Sequence, residues 1–597
     1  MRSTENVLRV HRDRGKKGQT LERVYRHLYN PELYLKAYAK ISQNQGALTK
    51  GVTQETVDGM SLDRIMRIID LIKHERYRWT PVRRVEIPKP KGGKRPLSIP
   101  TWSDKLVQEA MRILLEAYYE PKFSNASHGF RPKQGCHTAL MDIKKRWNGV
   151  VWFIEGDISK CFDTIDHDIL LGIIRRDVKD ERFIRLLKGA IKAGYLQDWK
   201  LSRSLSGTPQ GGIISPLLAN ICLNELDSFV ESSLIPNYTK GRERARSTTY
   251  RKYDYAIERA RKTGNWQLAQ ELVAERARKG IKRGIADDPD YRRLRYVRYA
   301  DDFLLGFIGP KSEAKVIKGR IRDFLEKELN LKLSPEKTLL TNATTDKARF
   351  LGYEITKLVR TSGKRLGDGT MSLLVPTSAL DSVRARYTQR GKAIHRVDWL
   401  KFSDYTIIQN YQSVLRGIYE YFALGVNVTR RMRRIKQTLE ISLTKTLAAK
   451  YKCSVREVYR RYGGRNEDGY VVLSATSLGC SGELTATFGG IPFKHKKLTE
   501  YSVDFDINLA ENLHTDRRSE RVDRMLSYSC EVCGAIGPVQ MHHIRKLADL
   551  KNKNPWEVQM SAMRRKTLAV CASCHQEIHA GRYDGPRLSS LPESRVQ

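Results

Sequence analysis

Apolar residues recur at helical spacing over Leu21–Ala47, which predicts helices there. Pro81–Pro100 changes period. Val82, Val85 and Ile87 lead into Pro88-Lys89-Pro90-Lys91-Gly92-Gly93-Lys94-Arg95-Pro96-Leu97 and then Ile99-Pro100, which predicts a β-hairpin with a Gly-Gly turn and a basic tip. A helix is expected over about Lys105–Tyr119. Val150–Ile158 is a short apolar strand with Asp157 near its end. Arg295–Ile308 is a second apolar run, broken by Tyr299-Ala300-Asp301-Asp302, and predicts a hairpin with the acids at its turn. Arg242–Lys282 is Arg-rich and helical in composition. Residues 376–460 are helical again, with Tyr411, Leu415, Ile418, Tyr419 and Phe422 at packing intervals. Residues 461–525 are richer in Gly and Thr and give no clear period, and no repeat of 20–50 residues is visible. No apolar run reaches the roughly 18 residues of a membrane span.

At 597 residues the chain is too long for one core and suggests about three to five domains. Charge narrows the function. Lys and Arg number 108 against 67 Asp and Glu, a net +41 with pI ≈ 9.9. Between Lys240 and Arg298 there are 18 basic and 8 acidic residues. Such a chain repels itself unless a polyanion shares the site, which points to nucleic acid; solubility or an acidic membrane face is the alternative. The N-terminus has no apolar signal core. Of nine cysteines, Cys136, Cys161, Cys222, Cys453 and Cys480 are scattered, as buried thiols are. The other four are paired near the C-terminus, which fits a metal site in a reducing compartment better than a disulfide framework.

Two groups of residues carry candidate chemistry. Two or three Asp at adjacent strand ends suit a hard divalent cation, and repel one another without it. Nucleotidyl transfer needs such a site, with one ion to activate a 3′-OH and another to hold the triphosphate. The tetrapeptide Tyr299–Asp302 alone is equally consistent with a solvated turn. In the second group, Cys530-x-x-Cys533 and Cys571-x-x-Cys574 are separated by 37 residues, and four thiolates suit tetrahedral Zn²⁺. His542 and His543 lie between them, and His575 and His579 follow at a spacing that shares one helix face.

The chain resembles the reverse transcriptases encoded by group II introns, in order over most of its length. Asn44–Val52 with Thr56-Val57-Asp58-Gly59 resembles the N-terminal block, with Thr53 where the family more often has Asp. Lys94–Pro100 is similar to the fingertip block. Ser127–Pro132 with His137–Leu140 resembles the next, with Gly135-Cys136 in place of a small polar pair. Gly156–Ile165 resembles the first catalytic strand, and Gly207–Gly212 with Ser215-Pro216 the template-facing block. Leu333–Thr338 and Phe350-Leu351-Gly352-Tyr353 resemble the last two palm blocks. The resemblance implies that Asp157, Asp301 and Asp302, with the carbonyl of Ile158, bind two Mg²⁺. It puts Phe162 at a steric gate against the ribose 2′-OH, with a core aromatic as the alternative. Lys89 and Arg95 would hold the triphosphate, Gln210 would contact the incoming sugar, and Lys337 would be an acid for the leaving pyrophosphate or simply an exposed loop lysine.

Residues 376–460 resemble the family's thumb, or maturase domain X, through Ser442–Ala448 with Lys450 and Lys452, and carry a basic stretch at Arg430, Arg431, Arg433, Arg434 and Lys436. The C-terminus resembles the family's HNH nuclease. By that resemblance His543 is the general base, and His542, His575 and His579 hold one divalent ion, with the two adjacent histidines open to exchange. Thr567 stands where the wider superfamily carries Asn.

The implied fold is α+β: a right-hand polymerase, a helical thumb and a zinc-stabilised ββα-metal nuclease. The expected division is 1–150 fingers with an N-terminal extension, 151–375 palm with an Arg-rich insertion at about 236–292, 376–460 thumb, 461–525 DNA-binding region and 526–597 nuclease. The insertion reads as an RNA-gripping arm or as a solvated helix pair. The implied partners are intron lariat RNA, target DNA and deoxynucleotides, with no membrane, in a bacterial cytoplasm at the nucleoid or in an organelle. The rival readings are a bacterial reverse transcriptase of another type, a maturase without catalysis, and a zinc-dependent DNA-binding protein. Residues 442–452 and 530–579 argue against the first, intact Asp157, Asp301 and Asp302 against the second, and the palm blocks, left unexplained, against the third.

Overall fold

A computed structural model describes residues 3–581 apart from 45, 89–91, 198–199, 203–210, 282, 286–287, 359–368, 480–481, 497–519, 545–556, 558–559 and 561–565. Lys89 and Gln210 therefore lie outside the described residues. The N-terminal helical run is a 3₁₀ turn, Tyr25–Tyr29, and helix α1, Pro31–Ile41, which Asn30 caps and Pro31 starts. The basic hairpin forms as expected, with β1 (Val82–Pro88) antiparallel to β2 (Lys94–Ile99). Helix α2 spans Trp102–Tyr119. It starts three residues before the apolar period does, because Thr101 accepts the Asp104 N–H and fixes the first turn.

The central element is a five-stranded sheet in the order β3 (Ser127–His128), β5 (Arg293–Tyr299), β6 (Asp302–Ile308), β4 (Trp152–Asp157) and β7 (Leu340–Asn342). Only β3–β5 is parallel. Both faces are covered, which is why the first half of β4 and most of β6 read as apolar runs without alternation. Alternate residues feed different cores. Ile154, Phe303, Leu305 and Phe307 join the core shared with α2 and with helix α3 (Ser215–Phe229). Phe153, Leu304 and Ile308 join a second core on the opposite face.

That second core runs into the C-terminal helices, chiefly α4 (Asp404–Phe422) and α5 (Val428–Tyr451). Tyr411, Leu415 and Tyr419 are buried in it, and the Tyr411 hydroxyl meets Ser442 Oγ at 2.8 Å. The Gly/Thr-rich stretch forms an antiparallel sheet, β8 (Gly463–Arg465), β9 (Val471–Gly479) and β10 (Gly482–Gly489). Leu473 and Phe488 bring it into the same core, and the Gly489 N–H donates to Gln412 Oε1 at 2.9 Å.

The Arg-rich insertion is a helix pair, Thr248–Lys262 and Trp266–Arg278, around its own small core of Ile257, Ala260 and Ala269. At the C-terminus, helix α6 (Glu520–Leu526) and strands β11 (Gln540–His543) and β12 (Thr567–Val570) precede helix α7 (Ala572–Ala580). The two strands pair antiparallel, with His542 opposite Leu568 and His543 opposite Thr567. One face of this hairpin carries Met541 and Ala569 into the large N-terminal core, where α6 packs against α1. The other carries Leu568 and Val570 into a small core with Cys530, Cys574 and Ile578. No described helix is long and apolar enough to cross a membrane.

Gly156 shows how tightly the central sheet is packed. A Cβ there would fall 2.1 Å from the Phe303 ring. Gly156→Ala should therefore lower stability by about 1–3 kcal/mol in chemical or thermal unfolding. Gly172→Ala, inside the helix His167–Asp177 with nothing within 4 Å of its added Cβ, should be neutral or stabilising by up to about 1 kcal/mol.

Candidate functional site: three clusters of candidate metal ligands

The β5–β6 hairpin turns through only Ala300 and Asp301, because Tyr299 pairs with Asp302. Ala300 takes a φ of 53°, a left-handed conformation that L-residues disfavour. On the other side of β6, Asp302 is in register with Asp157 at the end of β4. The three carboxylates thus gather at one end of the sheet. Burial and the negative charge of Asp157 push the Asp301 carboxyl up. Burial, a hydrogen bond to Asp157 and the charges of Asp301 and Asp157 push Asp302 up to about 7. Acids held this way resist full ionisation until a cation shares the site.

Lys337 brings a cation to this cluster. Its Nζ donates to both Asp157 oxygens, at 2.9 and 2.8 Å, and that bond is the chief cause holding its own ionisation above the ordinary value. Ile158 is buried and bridges to Leu333, which carries the Lys337 loop against the end of β4. Phe162 lies on the helical turn Cys161–Thr164, partly buried, with its ring edge-on to Phe130 at 6.3 Å. Arg95 is exposed on β2, and its charge reaches Asp301 and favours that carboxylate.

Beneath the turn lies a residue the sequence did not single out. Arg298 is fully buried and uses all five N–H donors. Nε and Nη2 fork onto Asp227 at 2.8 and 2.5 Å. Nη1 reaches Asn220 Oδ1 at 3.0 Å and the Ala300 carbonyl at 2.8 Å, and Nη2 also reaches Ser127 Oγ at 2.7 Å. The left-handed turn is therefore fastened from below to α3 and β3. In sequence Arg298 was one of many arginines; its place in β5, one residue before the tetrapeptide, was the available clue.

The second cluster is at the C-terminus. His542, His575 and His579 come together, with ring centroids 5.3, 5.2 and 4.7 Å apart. Period two in β11 turns His542 toward α7 and His543 to the opposite face. There the His543 ring is buried edge-on against Tyr38, Nε2 is 3.3 Å from the Tyr38 hydroxyl, and Nδ1 is 2.9 Å from the Met541 carbonyl. Burial lowers its pKa to about 4. The structure adds Asp58 to the three histidines, with ligand atoms of all four within 4.8 Å of one another. Burial opposes ionisation of Asp58, but His542 and His575 hold its carboxyl well below the usual range. Asp58 lies more than 480 residues away in sequence, so no local spacing could join it to the histidines. Three histidines short of a fourth ligand were the only prompt to look for a carboxylate.

Among the described residues, Cys530, Cys533, Cys571 and Cys574 form a further group able to hold an ion, with Cys533 and Cys571 sulfurs 3.8 Å apart. Backbone N–H groups of Cys533 and Cys574 donate to Cys530 and Cys571 sulfurs at 3.5 Å, as in paired metal knuckles. Thr567 is buried opposite His543 and is tied by Arg524, whose Nη1 meets Thr567 Oγ1 at 3.1 Å and which forks onto Glu531.

A sheet end with three carboxylates and a separate histidine–cysteine module suit an enzyme of two catalytic parts, a polymerase and a nuclease. Family models agree: reverse transcriptase (RNA-dependent DNA polymerase) over 87–253, type II intron maturase over 375–510, and AI2M/AI1M-like HNH endonuclease over 530–575. The first stretch contains Asp157 and ends before the hairpin that carries Asp301 and Asp302. The chain is 37% identical to the group II intron-encoded protein LtrA of Lactococcus lactis subsp. cremoris, over 94% of this chain and 96% of that one. It is 32% identical to the putative COX1/OXI3 intron 1 protein of Saccharomyces cerevisiae, over 93% of this chain and 68% of that one. With protein YkfC of Escherichia coli it shares 34% identity over 56% of this chain and 83% of that one. The chain belongs to the group II intron-encoded proteins. It is a multifunctional reverse transcriptase, maturase and HNH endonuclease.

The buried pair offers a stability test. Asp227→Ala leaves the Arg298 charge unpaired and should cost about 3–5 kcal/mol in equilibrium unfolding. The double variant Asp227→Leu/Arg298→Met should recover part of that loss, since no buried charge then remains.

Proposed function

We propose that Asp157, Asp301 and Asp302 hold two Mg²⁺ ions for cDNA synthesis, and that the backbone carbonyl of Ile158 assists. The carrying observation is the register of Asp157 against Asp302, with Asp301 on the fastened turn beside them. When bound, the ions supply activation of the primer 3′-OH and neutralise charge on the leaving pyrophosphate. Arg95, with Lys89, binds the triphosphate, for which its planar fork is suited. Gln210 meets the incoming sugar. Phe162, partly buried at the rim of the core and five residues after Asp157, blocks a ribose 2′-OH. Lys337 is the proton donor to pyrophosphate and moves off Asp157 when the ions enter.

In the nuclease, His542, His575 and His579 hold one divalent ion, which supplies charge stabilisation at the scissile phosphate. His543 takes the proton from the attacking water once its face of β11 is uncovered, since an imidazole freed from burial is a suitable base near pH 7; in this structure it packs on Tyr38, on the face away from the histidine cluster. The four cysteines hold a structural Zn²⁺. The overall arrangement is a right hand, with fingers over 1–150, palm over 151–375, thumb over 376–460, a DNA-binding part over 461–525 and the nuclease over 526–597.

The basic surfaces grip the polyanions. Exposed Arg430, Arg433 and Arg434 on α5 and the helix pair of the insertion face intron RNA, whose A-form helices are held through backbone and shape. The protein would fold its intron for splicing, nick one strand of a DNA target and copy the intron RNA from the new 3′ end. It would act in a bacterial cytoplasm, at the nucleoid when on its target, or in an organelle.

Asp301→Ala is expected to abolish primer extension while leaving RNA binding in filter assays largely intact; unchanged synthesis would overturn the polymerase site. His575→Ala and His543→Ala should each stop second-strand cleavage while extension continues on a pre-nicked target. Phe162→Ala should raise ribonucleotide incorporation in single-nucleotide extension assays; no change would return Phe162 to a packing role.

A further inference from the structure

Three histidines are an open set. A tetrahedral ion with four protein ligands has no position left for water or substrate, and on an octahedral ion each further protein ligand takes a position that water or a phosphate would use. Asp58 stands at the fourth position. Its Oδ2 lies 2.7 Å from His579 Nε2 and 3.3 Å from His575 Nε2, and its Oδ1 lies 3.5 Å from His542 Nδ1. His575 Nε2 and His579 Nε2 are 3.2 Å apart. Ligand atoms on a tetrahedral ion with bonds of about 2.0–2.2 Å sit roughly 3.3–3.6 Å apart. Small adjustments would seat an ion among these four atoms in place of the protons they share.

Asp58 is also held firmly. Its Oδ1 accepts the His543 backbone N–H at 2.7 Å. On either side the chain pairs with the nuclease strand: the Gly59 N–H donates to the Met541 carbonyl at 3.1 Å, and the Met541 N–H to the Met60 carbonyl at 2.9 Å. The segment around residues 58–60 thus forms an extra edge on β11. Gly59 suits this position because its φ of 71° is a left-handed conformation that other residues disfavour. The same docking keeps His543 against Tyr38, away from the cluster.

We propose that Asp58, from the N-terminal block of the polymerase part, is a fourth ligand to the nuclease ion, and that this added ligand and the docking of His543 hold the nuclease off until the block releases it. Release would free one coordination position for a phosphate and uncover His543. The two catalytic parts would then be coupled through one carboxylate.

This rests on the three-histidine site proposed above, and cobalt separates the two. Full-length protein with its cysteine site loaded with Zn²⁺ is titrated with Co²⁺. Four-coordinate Co²⁺ absorbs strongly in the visible, whereas carboxylate–water sites are octahedral and pale. Asp58→Asn keeps an acceptor for the His543 amide and so should fold, with the unfolding temperature as the check; Asp58→Ala is the stronger variant. Both are expected to lose the intense band and to weaken Co²⁺ binding by more than the roughly 10- to 100-fold caused by losing a group hydrogen-bonded to a metal ligand. Both should nick duplex DNA severalfold faster than the parent in Mg²⁺. An unchanged band and affinity in these variants, with the band lost in His575→Ala, would overturn the ligand and leave the histidine site standing. A band that survives His575→Ala would overturn the histidine site itself. Weakened Co²⁺ binding with slower nicking would show Asp58 serving the active nuclease and would overturn the inhibition.

Discussion

The polymerase end of the molecule depends on one buried ion pair. Arg298 and Asp227 are fully buried, an arrangement that is favourable only when every donor and acceptor is matched. Here all five guanidinium N–H groups are used, and Tyr296 adds a hydrogen bond to Asp227 at 2.7 Å. One of the five holds the carbonyl of Ala300, the residue in the left-handed turn. The pair therefore ties α3, β3 and β5 to the two-residue turn that carries Asp301 and starts Asp302. A turn in a disfavoured conformation persists only when its surroundings fix it. With the turn fixed, register places Asp302 beside Asp157, and the repulsion among the carboxylates is what a bound cation would relieve.

Much of this was legible in the sequence because it is local or periodic. The apolar runs flanking Tyr299–Asp302 could hardly be anything but a hairpin, and the Gly-Gly hairpin at 92–93 carried its own turn signal. Both observed hairpins agree with the period-two reading. The start of α2 was misplaced by three residues because a Thr side chain, not an apolar residue, sets it. Residues 461–525 gave no period because Gly and Thr mask the alternation, yet Leu473 and Phe488 face a common core. The division between thumb and DNA-binding region was drawn at composition, whereas packing joins β8–β10 to α4.

The candidate sites follow the same rule. Spacing pointed to the four cysteines and the His575–His579 pair, and both form clusters. The adjacent histidines were ambiguous on paper, since sequence order cannot say which face of a strand meets α7. Pairing decides it: His542 lies on that face and His543 on the other. Asp58 and Arg298 were invisible as site residues because their partners are distant along the chain. Chemistry that depends on long-range pairing of single polar residues leaves no period to read.

The central claim is that one chain carries separate metal centres for polymerisation and for DNA cleavage. The most direct test is anomalous diffraction from crystals of the full-length protein soaked in Mn²⁺, with data at the manganese and zinc edges. Manganese peaks are expected between Asp157, Asp301 and Asp302 and among His542, His575 and His579, with a zinc peak inside the four cysteines. Absence of manganese from the carboxylate cluster or from the histidine cluster, in crystals where the other centre is occupied, would contradict the claim.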